Sequence, residues 1–249
     1  MKNKPRGFVI WEGLSWIDRK TPIVMIATIE SKNSKTGNMI QIWYLVAGEH
    51  PVEAIQNGND EAICGDCPLR PFHLNVCYLE IGKAPAAVWR GYKRGIYPKL
   101  DLRRTAHRKL LFGRMVRDGA YGDPGVAPLD QVRRVMKVTD GGTGYSHQIL
   151  PLLMKGKTRR AAKLAERCMV SVDNPAALKR ARAAGLRSFI VVSKSGTPPE
   201  GAVECLNQRD GTLCVDCLEC DGTDPNEPKP DIWVWSHGIG SVNHKSFSV

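Results

Sequence analysis

Two apolar runs set the pattern of the chain's first half. Residues 22 to 30 (PIVMIATIE) and 39 to 46 (MIQIWYLV) are rich in β-branched and aromatic positions and predict strands. The polar stretch Ser31 to Gly37 between them reads as a turn. A helix is predicted from Pro85 to Tyr97, with proline near its first turn, where the missing N–H costs nothing. From about residue 110 short apolar segments and amphipathic ones alternate. Strands are predicted near Met115-Val116, Thr143 to Tyr145, Met169 to Val172, Phe189 to Val192, Val203 to Leu206 and Ile232 to Trp235. Helices are predicted over Leu129 to Val138, Thr158 to Arg167 and Pro175 to Ala184. The last is well punctuated: Asp173 or Asn174 can cap it, and Gly185 ends it.

Strands alternating with helices imply βαβ units and a parallel sheet. With the two early runs the strands number about eight, enough for a barrel. The expected fold is therefore α/β, one TIM-barrel-like domain over residues 1 to 249, closed or incomplete. A doubly wound open sheet is the alternative. Two cysteine-rich insertions, about 47 to 83 and about 205 to 230, interrupt it.

Composition narrows the class. Hydrophobic residues make up 42% and charged residues 24% of the 249, which excludes a disordered chain. The opening MKNKPRGFVIWEG lacks an apolar h-region, and no stretch approaches the roughly 18 to 20 apolar residues of a membrane span. A soluble, cytoplasmic chain with no membrane partner is expected. The net charge is +11, from 36 basic and 25 acidic residues. Such a field attracts polyanions, and clustered cations neutralise phosphates. DNA is the expected partner, with Arg103, Arg104, Arg108 and Lys109 in one cluster and Lys155, Lys157, Arg159 and Arg160 in another.

Eight cysteines without an export signal point to metal rather than disulfides. The first group is Cys64-Gly-Asp-Cys67 followed by Cys77, with His73 between. The second is Cys214-Val-Asp-Cys217-Leu-Glu-Cys220, with Cys205 before it and His237 after it. Three thiolates and one further donor suit zinc, and the same spacing suits an iron–sulfur cluster. Spacing alone separates neither the metals nor one site from two.

In an α/β barrel the chemistry lies at the carboxyl ends of the strands. Three such positions carry unusual polar residues: the turn from Arg117 through Tyr121 and Gly122 to Asp123-Pro124, then Tyr145-Ser-His147-Gln148, then Ser171 and Asp173. Asp123 and Asp173 can act as nucleophile and proton shuttle, in either order. Tyr121, Tyr145, His147 and Gln148 can line a slot for a planar heterocycle. Asp173 serves equally as a helix cap, and Asp123 as a plain turn aspartate.

Taken in order, Cys-x-x-Cys, Cys-Tyr, Gly-x-Tyr-Gly-Asp-Pro, Gly-Tyr-Ser-His-Gln, Ser-Val-Asp and Cys-x-x-Cys-x-x-Cys resemble a family of uncharacterised phage proteins related to the mycobacteriophage gene 88 proteins. The resemblance covers about residues 30 to 240. More distantly the chain is similar to phage 7-deazaguanine DNA transglycosylases and through them to tRNA-guanine transglycosylases. These are barrels with a zinc site of three Cys and one His, and with aspartates that exchange a base. The resemblance implies a transglycosylase working in the infected cell's cytoplasm, which replaces guanine in DNA by a preQ0-like 7-deazaguanine. An iron–sulfur protein with redox or radical chemistry, and a non-catalytic zinc-stabilised nucleic-acid-binding protein, are the alternatives.

Overall fold

The chain opens with a strand that its hydrophobic pattern does not announce. In the computed structural model, which describes residues 4–70, 77–238, 241, 245 and 247, β1 (Gly7–Leu14) pairs antiparallel with β2 (Pro22–Thr28). β2 pairs antiparallel with β3 (Ile40–Val46). Only the first three residues of β1 are buried, so its apolar signal is half that of its neighbours. β3, by contrast, is buried at every position, as a strand covered on both faces must be. The cover comes from α1 (Pro51–Gln56), α2 (Glu61–Cys64) and α3 (Ala84–Lys93), which all pack against it. Two of these short helices occupy a segment where the sequence predicts a cysteine-bearing loop. After α4 (Thr105–Leu111) the chain enters β4 (Met115–Tyr121), parallel to β3. α5 (Leu129–Met136) then buries Leu129, Val132 and Val135 at helical spacing while its arginines face outward.

The chain folds as two compact units. The elements above belong to the first, Met1–Gly65 with Glu80–Gly142. The second comprises Asp66–Leu79 with Thr143–Val249. Its chain order is β5 (Gly141–Ser146, in this unit from Thr143), α6 (Ile149–Met154), α7 (Thr158–Ala165), β6 (Met169–Val172), α8 (Pro175–Ala183) and β7 (Ser188–Val192). Then follow β8 (Ala202–Glu204), α9 (Leu206–Asp210), α10 (Cys214–Cys217) and β9 (Asp231–Trp235). The strand order is β5-β6-β7-β9-β8 and every pairing is parallel. The predicted alternation of strands and helices is thus present in this unit, and α8 packs on β6 and β7.

The barrel is not formed. β1 has β2 as its strand partner and β8 has β9, so both remain edges; beyond β2, β1 makes a single bridge from Val9 to Lys99. The connections give the reason. A closed parallel barrel needs a crossover helix after each strand, and β1, β2 and β3 are joined by turns into antiparallel pairs. What forms is a mixed, mostly parallel α/β arrangement with open edges. No helix among the described residues is long and apolar enough to cross a membrane.

Candidate functional site

In open parallel sheets, ligands gather beyond the carboxyl ends of the strands. In the second unit β5 ends at Ser146 and β6 at Val172, and the two run parallel in register, with Ser146 opposite Val170. The residues just past each end, His147 and Asp173, therefore emerge side by side. Their side chains meet, with His147 Nε2 2.9 Å from Asp173 Oδ2, and they are only 16% and 9% exposed. Asn174 makes this possible by taking the cap of α8: its Oδ1 accepts from the Ala177 N–H at 2.8 Å. Of the two residues able to cap that helix, Asn174 does so, and the Asp173 carboxylate is left for His147.

The second partner of the imidazole is Cys67. Burial pushes the His147 imidazolium down, but the negative charge of Cys67 and of Asp173, with hydrogen bonds from both, outweighs it. The net shift is well above the usual histidine value. Gln148 is buried beside this pair, and its backbone N–H donates to Ser146 Oγ at 3.0 Å. Neither the Asp173–His147 contact nor its link to Cys67 follows from the sequence reading. The first had a signal, since both residues directly follow strands predicted to be parallel. The second had none, because the segment carrying Cys67 is distant in sequence.

Tyr145 points to different chemistry from the base slot expected of it. Its ring stacks on Phe189 with centroids 3.9 Å apart and planes at 18°. It also lines a small cavity of about 20 Å³ together with Cys205, Cys214, Cys217 and Cys220. Two backbone bonds fasten this cysteine loop to the sheet: Cys205 N–H donates to the Trp233 carbonyl at 2.9 Å, and Gly144 N–H donates to the Cys220 carbonyl at 3.1 Å. Burial pushes the Cys217 thiol up, and the nearby Glu219, Cys205 and Asp210 add to this, against a backbone hydrogen bond from Glu219. His237 does not line this cavity. Its ring lies against Tyr78, with centroids 5.1 Å apart, and its Nδ1 is 3.1 Å from the Trp235 carbonyl. Cys205 thus stands with the other three thiols in the place expected of that histidine.

None of the eight cysteines is in a disulfide. Among the described residues no three His, Cys, Asp or Glu side chains are drawn together as a ligand set. The four thiols nonetheless face one space, and four sulfurs are the donor set of a structural zinc site. Of the first cysteine group, Cys64 belongs to the first unit and Cys67 and Cys77 to the second, while His73 lies outside the described residues.

Asp123 belongs to the first unit and follows β4. Its Oδ1 accepts from the Gly125 N–H at 2.7 Å, and its own N–H donates to the Ile63 carbonyl at 2.7 Å. The carboxylate is buried and caps the one-turn helix Pro124–Val126. Gly122 has φ +75°, and a Cβ there would stand 2.6 Å from the Tyr44 Cβ. The glycine serves close packing on β3, where the sequence suggested close approach to a ligand. Tyr121 is buried in β4. A buried pair that the sequence did not reveal also lies in this unit: Tyr44 Oη donates to Asp118 Oδ1 at 2.8 Å.

The basic clusters are only partly available to a polyanion. Arg103 pairs with Asp101 at 3.0 Å, and Arg108 spends its guanidinium on the Leu102 carbonyl and Thr105 Oγ1. Arg104 and Lys109 are exposed, as are Lys155, Lys157 and Arg159 at the turn into α7, while Arg160 is half-buried. Comparison with protein-family models, with curated proteins and with solved structures finds no match for this chain.

Proposed function

We propose that this chain is a zinc-bearing DNA-modifying protein, with the metal held by Cys205, Cys214, Cys217 and Cys220. The observation that carries the metal is the single small cavity those thiols share. At about 20 Å³ it has room for roughly one water-sized occupant, which suits a lone ion better than a multi-iron cluster. A bound zinc would supply folding energy to a loop whose helices, α9 and α10, are five and four residues long. The chain's own contribution is to hold the loop against β5 and β9 through the Gly144 and Cys205 backbone bonds.

The reaction is exchange of guanine in DNA for a 7-deazaguanine, supported by the resemblance of the motifs. Asp123 is the nucleophile in this reading. Its carboxylate would bond to the deoxyribose C1′ as the glycosidic bond breaks and guanine departs with a proton. The incoming base would then displace the carboxylate. Asp173 is not needed for that step, because it is committed to His147.

Two measurements test the reading. Cys217→Ser should lose one equivalent of zinc by elemental analysis; iron with acid-labile sulfide in the native protein would instead establish the cluster alternative. Asp123→Asn keeps an oxygen to accept from Gly125 but loses charge and basicity, so it should fold and fail to incorporate a labelled 7-deazaguanine. Normal incorporation by that variant ends the nucleophile assignment. Zinc and DNA binding without any exchange by the native protein leaves the non-catalytic alternative standing.

A further inference from the structure

We propose that His147 and Cys67 are ligands of a second divalent metal ion, and that Asp173 is the outer carboxylate that orients His147 for it. The site lies in the second unit and is separate from the four-thiol cavity. It goes beyond the exchange reading and does not rest on it.

Three observations converge. A metal-bound imidazole almost always gives its other ring N–H to a carboxylate or carbonyl, which fixes tautomer and ring orientation. His147 has this arrangement, with Nε2 held at 2.9 Å by a largely buried carboxylate that no helix cap requires. Nδ1 is then the nitrogen a metal would take. Next, the side chain in contact with this imidazole is the sulfur of Cys67, the second member of a Cys-x-x-Cys motif. A soft thiolate and an imidazole that share one location are a zinc-type donor pair.

Cys77 is the third donor, and its neighbour locates it. Tyr78 packs its ring on His237, and a Cβ on Gly238 would stand 3.0 Å from the Tyr78 Cα. His237 and Gly238 lie just past the end of β9. Because β5, β6, β7 and β9 are all parallel, the end of β9 is on the same edge of the sheet as the ends of β5 and β6. Cys67, Cys77 and His147 thus converge on one edge of the unit. A thiol–imidazole–carboxylate series could also serve as a nucleophilic relay, and the test is built to separate the two.

The full chain is purified with zinc, and metal content is measured alongside the spectrum of the cobalt-substituted protein. The native protein should hold two equivalents. His147→Ala and Cys67→Ser should each lose one and keep the other, while Cys217→Ser loses its own. Failure at Cys217 and failure at His147 are therefore read independently. Asp173→Asn should keep the stoichiometry but bind roughly 10- to 100-fold more weakly in competition with a chelator, with Asp173→Glu restoring part of the loss. Should the His147 variants fail to fold, the native protein still decides. Zinc should shield Cys67 from iodoacetamide, and chelation should expose it, as mapped by peptide mass spectrometry. Cys67 alkylated equally fast with and without zinc would overturn the metal site and favour a nucleophilic cysteine. Retention of both equivalents in a folded His147→Ala, with an unchanged cobalt spectrum, would overturn it as well.

Discussion

Replacing Arg187 should loosen the loop that presents Cys220. Arg187 directly precedes β7, and its side chain is 7% exposed. Its guanidinium makes five hydrogen bonds. Nη1 donates to Asp221 Oδ1 at 2.7 Å and to the Gly222 carbonyl at 2.8 Å. Nη2 donates to the carbonyls of Glu219 at 2.8 Å and Pro230 at 3.0 Å, and Nε to Pro230 at 3.1 Å. One side chain thus ties both ends of the proline-rich tract to the sheet. Removing a partner from a buried pair costs about 3–5 kcal/mol. Lys229, 2.6 Å from Asp221, would keep that carboxylate partly compensated and hold the loss toward the lower end. For a chain of this size each kcal/mol moves the melting temperature by about 2–4 °C, so Arg187→Met should lower it by about 6 to 20 °C. Arg187→Lys should recover little, since one ammonium cannot span this set of acceptors. Calorimetry of zinc-saturated protein is the assay, with zinc affinity as the second readout because Cys220 belongs to the same loop. A fall under about 2 °C for Arg187→Met would refute this reasoning, because the network would then contribute nothing net.

Gly222→Ala in that loop should be strongly destabilising. Its φ of +103° and a Cβ only 2.6 Å from the Ala165 carbonyl and the Arg167 N leave no space, and the backbone strain alone costs about 1–3 kcal/mol. An unshifted urea midpoint would contradict this. Asn174→Ala should cost about 1 kcal/mol by loss of the α8 cap, whereas Asn174→Asp should be nearly silent in the same titration. Neutralising Lys155, Lys157 and Arg159 together should flatten the plot of log K for duplex DNA against log salt by roughly 0.9 for each phosphate that the variant no longer neutralises. An identical slope would make that turn plain solvated surface.

Much of the second unit was legible because its strands are short apolar runs separated by amphipathic helices. β6 has the predicted bounds, and α8 is capped and stopped by Asn174 and Gly185, two of the residues the pattern named. Barrel closure was not legible. A count of apolar runs says how many strands there are but not whether the outer two meet, and the turns joining β1, β2 and β3 were decisive. The cysteine spacing named the right thiols, since Cys-x-x-Cys is a local signal. It could not choose between Cys205 and His237. That choice depends on the path of the loop, set by the bond from Cys205 to Trp233 and by the contact of His237 with Tyr78.

The fate of the two aspartates follows from the same distinction between local and long-range signals. Asp123 precedes a proline in a glycine-rich turn, and its carboxylate does what that sequence allows locally: it accepts from the backbone two residues on. Asp173 also had a local role open to it, and the neighbouring Asn174 fills that role instead. Burying a carboxylate with only 9% exposure is costly unless a partner offsets it. The partner is His147, 26 residues away and brought alongside by the parallel register of β5 and β6. A helix start needs no such pairing, and a turn needs no thiol beside the imidazole. Asp173→Asn leaves the α8 cap untouched, so whatever it changes belongs to His147 and to what His147 holds.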